Sequence, residues 1–320
     1  MKLQTKIKLT PQENQIDYNS KILLMGSCFV ENMGAKLEYF KFQTLLNPFG
    51  ILFHPIAVEK LVFRALNDTV FTEKDLFFFN EQWHCFEVHS VLSNSSKEGL
   101  LLQMNERLIE LKEFLLKATH IIFTFGTAWV YRYNETNSVV ANCYKIPQQQ
   151  FSKELLSIEE ITASINRTVS IIKKVNPKVD FVLTVSPVRH LKDGFVENTR
   201  SKSHLITAIH NFINQQDQIS NLQSLYFPSY EIMMDELRDY RFYKEDMVHP
   251  NTTAIQIIWE AFSEVWIADE TQSLQKEIAS IQSGLKHRSF NPESEEHQSF
   301  LKKLEAKIVV LQKKIKHLKF

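Results

Sequence analysis

Lys21-Ile-Leu-Leu-Met-Gly-Ser-Cys-Phe29 is a short apolar run that breaks at Gly26 and presents Ser27. Such a run predicts a strand buried on both faces, as parallel sheets require, and the turn after it is where an open α/β sheet exposes a reactive side chain. Asp246-Met-Val-His249 lies about 220 residues further on. Serine, histidine and aspartate are the nucleophile, base and orienting carboxylate of acyl transfer.

Outward from this stretch, short β-like runs alternate with helical patterns. Strands are expected over residues 22–25, 42–46, 120–125, 179–185 and 222–227, and helices over 30–40, 55–66, 97–117, 158–175 and 199–214. The alternation predicts an α/β protein with a central parallel sheet of about five strands covered by helices. Residues 69–96 are less regular and read as an insertion over one end of the sheet, with Trp83 to His89 as an added strand and its loop. No repeat and no Gly/Ser/Pro linker interrupts residues 1–265, which form one expected catalytic domain. Residues 266–320 are expected as a C-terminal helical extension: long helices over 252–285 and 295–320 joined by Ser289-Phe-Asn-Pro-Glu293. The last carries Phe300, Leu301, Leu304, Ile308, Leu311, Ile315 and Leu318 on one stripe with lysines opposite. Docking on the chain's own core or in a homodimer is the expected use of that stripe, ahead of a membrane surface.

Composition bounds the function. A chain of 320 residues, 44% hydrophobic and 12% aromatic, can bury a large core, which excludes wholesale disorder. With 37 basic and 37 acidic residues, no global field attracts nucleic acid or anionic lipid. No Gly-rich phosphate loop and no basic-aromatic pattern is present. No run approaches the roughly 18 apolar residues of a membrane span, and the first ten residues lack a secretory core, so a cytoplasmic protein is expected. Cys28, Cys85 and Cys143 are odd in number and fit reduced thiols.

Each candidate residue has a plainer role to set beside it. Ser27 could cap the following helix, and Cys28 is the more nucleophilic neighbour. Asp246 and His249 could serve a turn and the core, but their spacing lets both face one edge, with Pro250 opening the next helix. His54, His84, His89 and Cys85 match no zinc spacing, so no metal or other cofactor is expected, and His84 and His89 read as pocket-wall residues. Arg189 and His190 follow the fourth strand, where the arginine could hold a carboxylate or phosphate or form an ordinary salt bridge. Trp129, Tyr131 and Tyr144 could stack on a sugar or belong to the core.

Gly26-Ser-Cys-Phe-Val30 resembles the signature of the GSCFA family, a bacterial group placed among the SGNH (GDSL-like) hydrolases. Asn47-Pro-Phe-Gly50, Phe125-Gly-Thr-Ala-Trp-Val-Tyr131, Asn142-Cys-Tyr-Lys-Ile-Pro147, Ser186-Pro-Val-Arg189 and Asp246-Met-Val-His-Pro-Asn251 resemble the same family, which covers most of residues 20–300. Val30 stands where the signature usually has alanine. The resemblance implies a flavodoxin-like three-layer α/β/α sandwich and a catalytic triad of Ser27, Asp246 and His249. It also implies an oxyanion hole built from the amides of Ser27 and Gly50 and a side-chain amide after the third sheet strand. Gly126-Thr-Ala-Trp129 has no asparagine for that last position. Thr127 and Asn142 rank equally as substitutes, with Asn47 a further one, and Asn47, Trp129, Tyr144, His84, His89 and Arg189 are expected at the substrate. The expectation is a serine esterase acting on a small-molecule or carbohydrate ester such as an acetylated sugar or cell-wall precursor. The alternatives are an acyltransferase of the same fold, or a non-catalytic scaffold that assembles through its C-terminal helices.

Overall fold

A computed structural model describes residues 5–217 and 224–320. In chain order the main elements are β1 (Lys21–Gly26), α1 (Cys28–Tyr39), β2 (Gln43–Leu46), α2 (Pro55–Leu66), β3 (Phe77–Phe79), β4 (Gln82–His84), α3 (Lys97–Leu115), β5 (His120–Phe125), β6 (Trp129–Tyr133), β7 (Ser138–Val140), β8 (Phe151–Leu155), α4 (Ile158–Val175), β9 (Asp180–Val185), α5 (Phe195–Asp217), β10 (Ser224–Phe227), α6 (Thr252–Trp266), α7 (Gln272–Lys286) and α8 (Glu295–Lys314). The start of the last sheet strand, expected from residue 222, lies outside the described residues.

The apolar runs become one parallel sheet in the order β10-β9-β5-β1-β2. Because side chains alternate across a strand, each run feeds two cores at once. Leu23, Met25, Ile121, Phe123, Phe181 and Leu183 face α2, α3, α4 and α5. Ile22, Leu24, Ile122 and Val182 face α1, α6 and the C-terminal helices. The result is the expected three-layer α/β/α sandwich. Helix boundaries were legible where capping chemistry is explicit: Ser157 and Glu160 close a capping box on α4, and Pro55 opens α2 behind the His54 ring, whose Nδ1 accepts from the Ala57 amide at 3.2 Å.

Three expectations need correction. The helix expected over 252–285 is two helices: after Trp266 the chain turns extended, Ile16 N donates to Trp266 O at 2.6 Å and Ala268 N donates to Ile16 O at 3.0 Å. An apolar stretch that would continue a helical stripe is instead buried by pairing with the N-terminal segment. The last helix stops at Lys314; Leu304, Leu311 and Leu318 join the core of their own chain, with Ile308 and Ile315 partly buried against it, while Phe300 and Leu301 at the other end of the stripe stay exposed. Residues 129–155, read as motif and pocket wall, form an antiparallel sheet of order β7-β6-β8, and the insertion carries the β3–β4 hairpin with one strand more than expected. No helix among the described residues is long and apolar enough to cross a membrane.

Candidate active site

In sheet order the strands run 2-1-3-4-5, so the direction of winding reverses between β1 and β5. In open α/β sheets ligands bind outside the carboxyl ends of the strands at that reversal. Gly26 ends β1 there. Its φ is +145°, and a Cβ on it would stand 2.1 Å from Thr124 O, so only glycine fits. Ser27 follows at the N-cap position of α1, yet its hydroxyl makes no capping bond. The residue is fully buried and Oγ has no hydrogen-bond partner among the described residues. Leaving a buried hydroxyl unmatched costs about 1–3 kcal/mol, which marks it as a group aimed at something other than the fold.

Two buried nitrogens after other strands of the sheet also lack partners. Asn47, in the turn after β2, uses Oδ1 to accept from Gly26 N at 2.9 Å, which fixes its amide against the end of β1 and leaves Nδ2 without a partner. His190, after β9, leaves Nε2 without a partner. Gly126, at the end of β5, shows how close the groups lie: a Cβ there would be 3.1 Å from His190 Nε2 and 3.1 Å from Ser27 Cβ. A side chain at Gly126 would crowd Ser27, His190 and Phe53, which lies 3.2 Å from the same Cβ position, so the three residues converge on that glycine.

The Asp246–His249 loop supplies a histidine-carboxylate pair. Asp246 Oδ1 accepts from the Val248 and His249 amides, both at 2.9 Å, and Oδ2 accepts a hydrogen bond from His249 Nδ1 at 2.7 Å. Turn role and orienting role are thus combined in one side chain. The two backbone N–H groups, then the ring, hold the carboxyl down at about 2, so it is an anion across the working pH range. Arg189 N donates to Val248 O at 3.3 Å and ties the loop to the end of β9. With Nδ1 so held, His249 presents Nε2 inward, 3.8 Å from Cys28 Sγ. Burial and the nearby Glu31 push the Cys28 thiol up, away from thiolate. Pro250 precedes α6, whose cap is Asn251, accepting from Ala254 N at 3.1 Å.

Beneath the site lies Lys202, a fully buried lysine of α5 that sequence reading missed. Its Nζ donates to Gly126 O at 2.7 Å and to Ser186 O at 2.6 Å, joining the ends of β5 and β9. Burial pushes it down to about 7. Burial, Lys202 and His249 likewise push His190 down to about 3, so its ring is neutral at neutral pH. Lys202 stands three positions before Leu205, on the buried face of α5 that continues with Ala208, Ile209 and Phe212, but a lysine there reads as the end of the stripe; only the strand ends it reaches reveal its place.

The other expected residues are distributed unevenly. The Ser27 amide donates to Thr124 O at 2.9 Å and the Gly50 amide to Asn47 O at 2.8 Å, so both are engaged in the fold. The Thr127 hydroxyl pairs with Ser201 Oγ at 3.0 Å and accepts from Trp129 N, pointing into α5. Asn142 Oδ1 accepts from Tyr144 N at 2.8 Å. Tyr144 donates its hydroxyl to Cys85 O and Val88 O at 2.7 and 2.6 Å, and His84 bonds Ser93 Oγ and Phe79 O, so both lock the insertion together. Trp129 donates to Glu197 O at 3.1 Å. Arg189 stacks 4.0 Å above the Tyr243 ring and donates to its hydroxyl at 3.0 Å, bracing the histidine loop. His89 packs against Gly50, beside Asn47, at the rim of the site.

A doubly wound sheet in which buried Ser27, Asn47 and His190 atoms lack partners beyond the carboxyl ends of its strands defines a flavodoxin-like α/β sandwich. The chain belongs to the GSCFA family: the model of that family matches residues 21–262, and the model described as GSCFA domain protein, C-terminal domain, matches residues 278–320. Among solved structures it is similar to a carbohydrate esterase family 3 from Talaromyces cellulolyticus, with 11% identity, a TM-score of 0.38 and coverage of 80% of this chain and 98% of that one. It is similar to an acetyl esterase mutant with acetate ion, with 11% identity, a TM-score of 0.35 and coverage of 81% and 99%. An acetyl xylan esterase from the rumen bacterium Butyrivibrio proteoclasticus is 10% identical, with a TM-score of 0.39 and coverage of 78% and 64%. No curated protein matches the sequence.

Proposed function

We propose that the protein is a serine ester hydrolase of SGNH type, with Ser27 as nucleophile, His249 as base and Asp246 as its orienting carboxylate. The observation that carries this reading is the buried, unpartnered Ser27 Oγ on the turn adjoining a histidine whose other nitrogen is held by an ionised aspartate. As Oγ bonds to the ester carbonyl carbon, its proton passes to His249 Nε2 and the carbonyl π pair moves to oxygen. Asn47 Nδ2, buried and without a partner, is the proposed side-chain donor to that oxyanion in place of the missing asparagine after β5. Collapse expels the alcohol, which takes the proton from His249, and water repeats the sequence on the acyl-enzyme. Nε2 must exchange Cys28 Sγ for Ser27 Oγ, a move between adjacent residues of the kind that substrate binding tightens.

A cysteine nucleophile is the second reading, favoured by the 3.8 Å approach of Cys28 Sγ to His249 Nε2. It is the weaker one, because burial and Glu31 disfavour the thiolate that such chemistry needs. The proposed substrate class, an acetylated carbohydrate or cell-wall precursor, rests on analogy at the level of the fold. Hydrolysis of a short-chain aryl ester by wild type, Ser27→Ala, His249→Ala and Cys28→Ser tests the assignment. Ser27→Ala and His249→Ala should be equally inactive because triad members act as a unit, and Cys28→Ser should turn over. An inactive Cys28→Ser beside an active Ser27→Ala would reverse the two roles.

A further inference from the structure

We infer that His190 is a second oxyanion donor, presenting an Nε2 proton to the oxygen that becomes negative when Ser27 attacks. The inference rests on the serine-hydrolase reading and adds to it a residue from the strand opposite Asn47. Three observations support it. His190 Nε2 is buried without a partner, and the residue is held by other contacts: its backbone N–H donates to Asn198 Oδ1 at 2.8 Å, and its ring meets Phe53 edge-on at 5.4 Å. Nε2 and Ser27 Cβ each lie 3.1 Å from the same point beside Gly126, so a carbonyl seated over Ser27 would be within its reach. A nitrogen so buried needs a partner, and the described residues offer none.

Its surroundings select the donor role over the base role. Burial, the Lys202 ammonium and His249 all oppose a positive charge on the ring, so it cannot readily take a proton from Ser27. A neutral imidazole in its Nε2–H tautomer, the form the inference requires, can still donate, and a donor that need not reorient as charge develops is what stabilises an oxyanion. Lys202, donating to Gly126 O and Ser186 O, ties together the two strand ends that carry Gly126 and His190.

The test compares wild type with His190→Phe, which keeps a ring against Phe53 but has no N–H, and with His190→Gln, which retains a donor. Turnover of an aryl acetate, labelling of Ser27 by a fluorophosphonate and melting temperature are read on each. His190→Phe should lose about 10²-fold in kcat with KM within about threefold, and should label correspondingly slowly. His190→Gln should recover about tenfold of that loss, and the acid limb of the kcat profile should stay where wild type has it. A His190→Phe protein within threefold of wild-type kcat overturns the inference. So do equal losses in both variants with lowered melting temperatures, which would show a packing role, or an altered acid limb, which would make His190 the base. A wild-type protein that neither turns over nor labels overturns the hydrolase reading itself, and the inference with it.

Discussion

Replacing Asn47 by alanine separates what that side chain does for the fold from what it does for the reaction. Its Oδ1 accepts the Gly26 amide at 2.9 Å, and its backbone sits at φ +40°, a left-handed conformation that asparagine tolerates better than alanine. Loss of the acceptor leaves a buried N–H unmatched, about 1–3 kcal/mol, and the backbone adds about 1 kcal/mol, so Asn47→Ala should be roughly 2–4 kcal/mol less stable by urea unfolding. Loss of Nδ2, which the fold does not use, should cost a further 10²- to 10³-fold in kcat at saturating ester, about 2.7–4 kcal/mol of transition-state stabilisation. Asn47→Asp distinguishes the two effects, since it keeps an acceptor for Gly26 and replaces the donor by a group that repels the developing anion. A folded Asn47→Ala protein with turnover within threefold of wild type would refute the donor role.

Other expectations follow from single contacts. His54 donates to Val140 O at 3.1 Å through Nε2 and accepts from Ala57 through Nδ1, and burial pushes it from an ordinary 6.5 down to about 4. The unfolded chain therefore takes up a proton below pH 6.5 that the native one refuses, so this group's contribution is full above pH 6.5 and is lost as pH falls toward 4. About 3 kcal/mol is at stake, and His54→Gln should flatten that part of the acid limb in urea titrations. Gly26→Ala should give no folded protein in circular dichroism, because its Cβ would meet Thr124 backbone atoms at 2.1 to 2.9 Å. Leu311→Ala should cost about 2–5 kcal/mol in thermal or urea melts while sparing kcat, since Leu311 is buried in the core on the α1 face.

The sheet was legible because its strands are continuous apolar runs between helices of clear period, and all six residues of β5 are buried as such a run demands. The break at Ile267 was not, because apolar residues there satisfy a helical stripe and an extended pairing with Ile16 equally well. Nor was the β7-β6-β8 sheet, whose strands of three to five residues leave too short a pattern. Sequence spacing brought Ser27, Asp246 and His249 to notice, since their chemistry depends on residue type. It could not show which donors are unengaged. Thr127, Tyr144 and His84 carry suitable groups but use them on Ser201, Cys85, Val88, Ser93 and Phe79, whereas Asn47 and His190 hold theirs unpaired. That difference exists only once the chain is folded.

The central claim, that Ser27 is the activated nucleophile, is tested most directly by treating the protein with a fluorophosphonate and mapping the adduct by peptide mass spectrometry. The account predicts one stoichiometric adduct on Ser27, undiminished in Cys28→Ser and absent from Ser27→Ala and His249→Ala. An adduct on Cys28, or an unmodified folded wild-type protein, would contradict it.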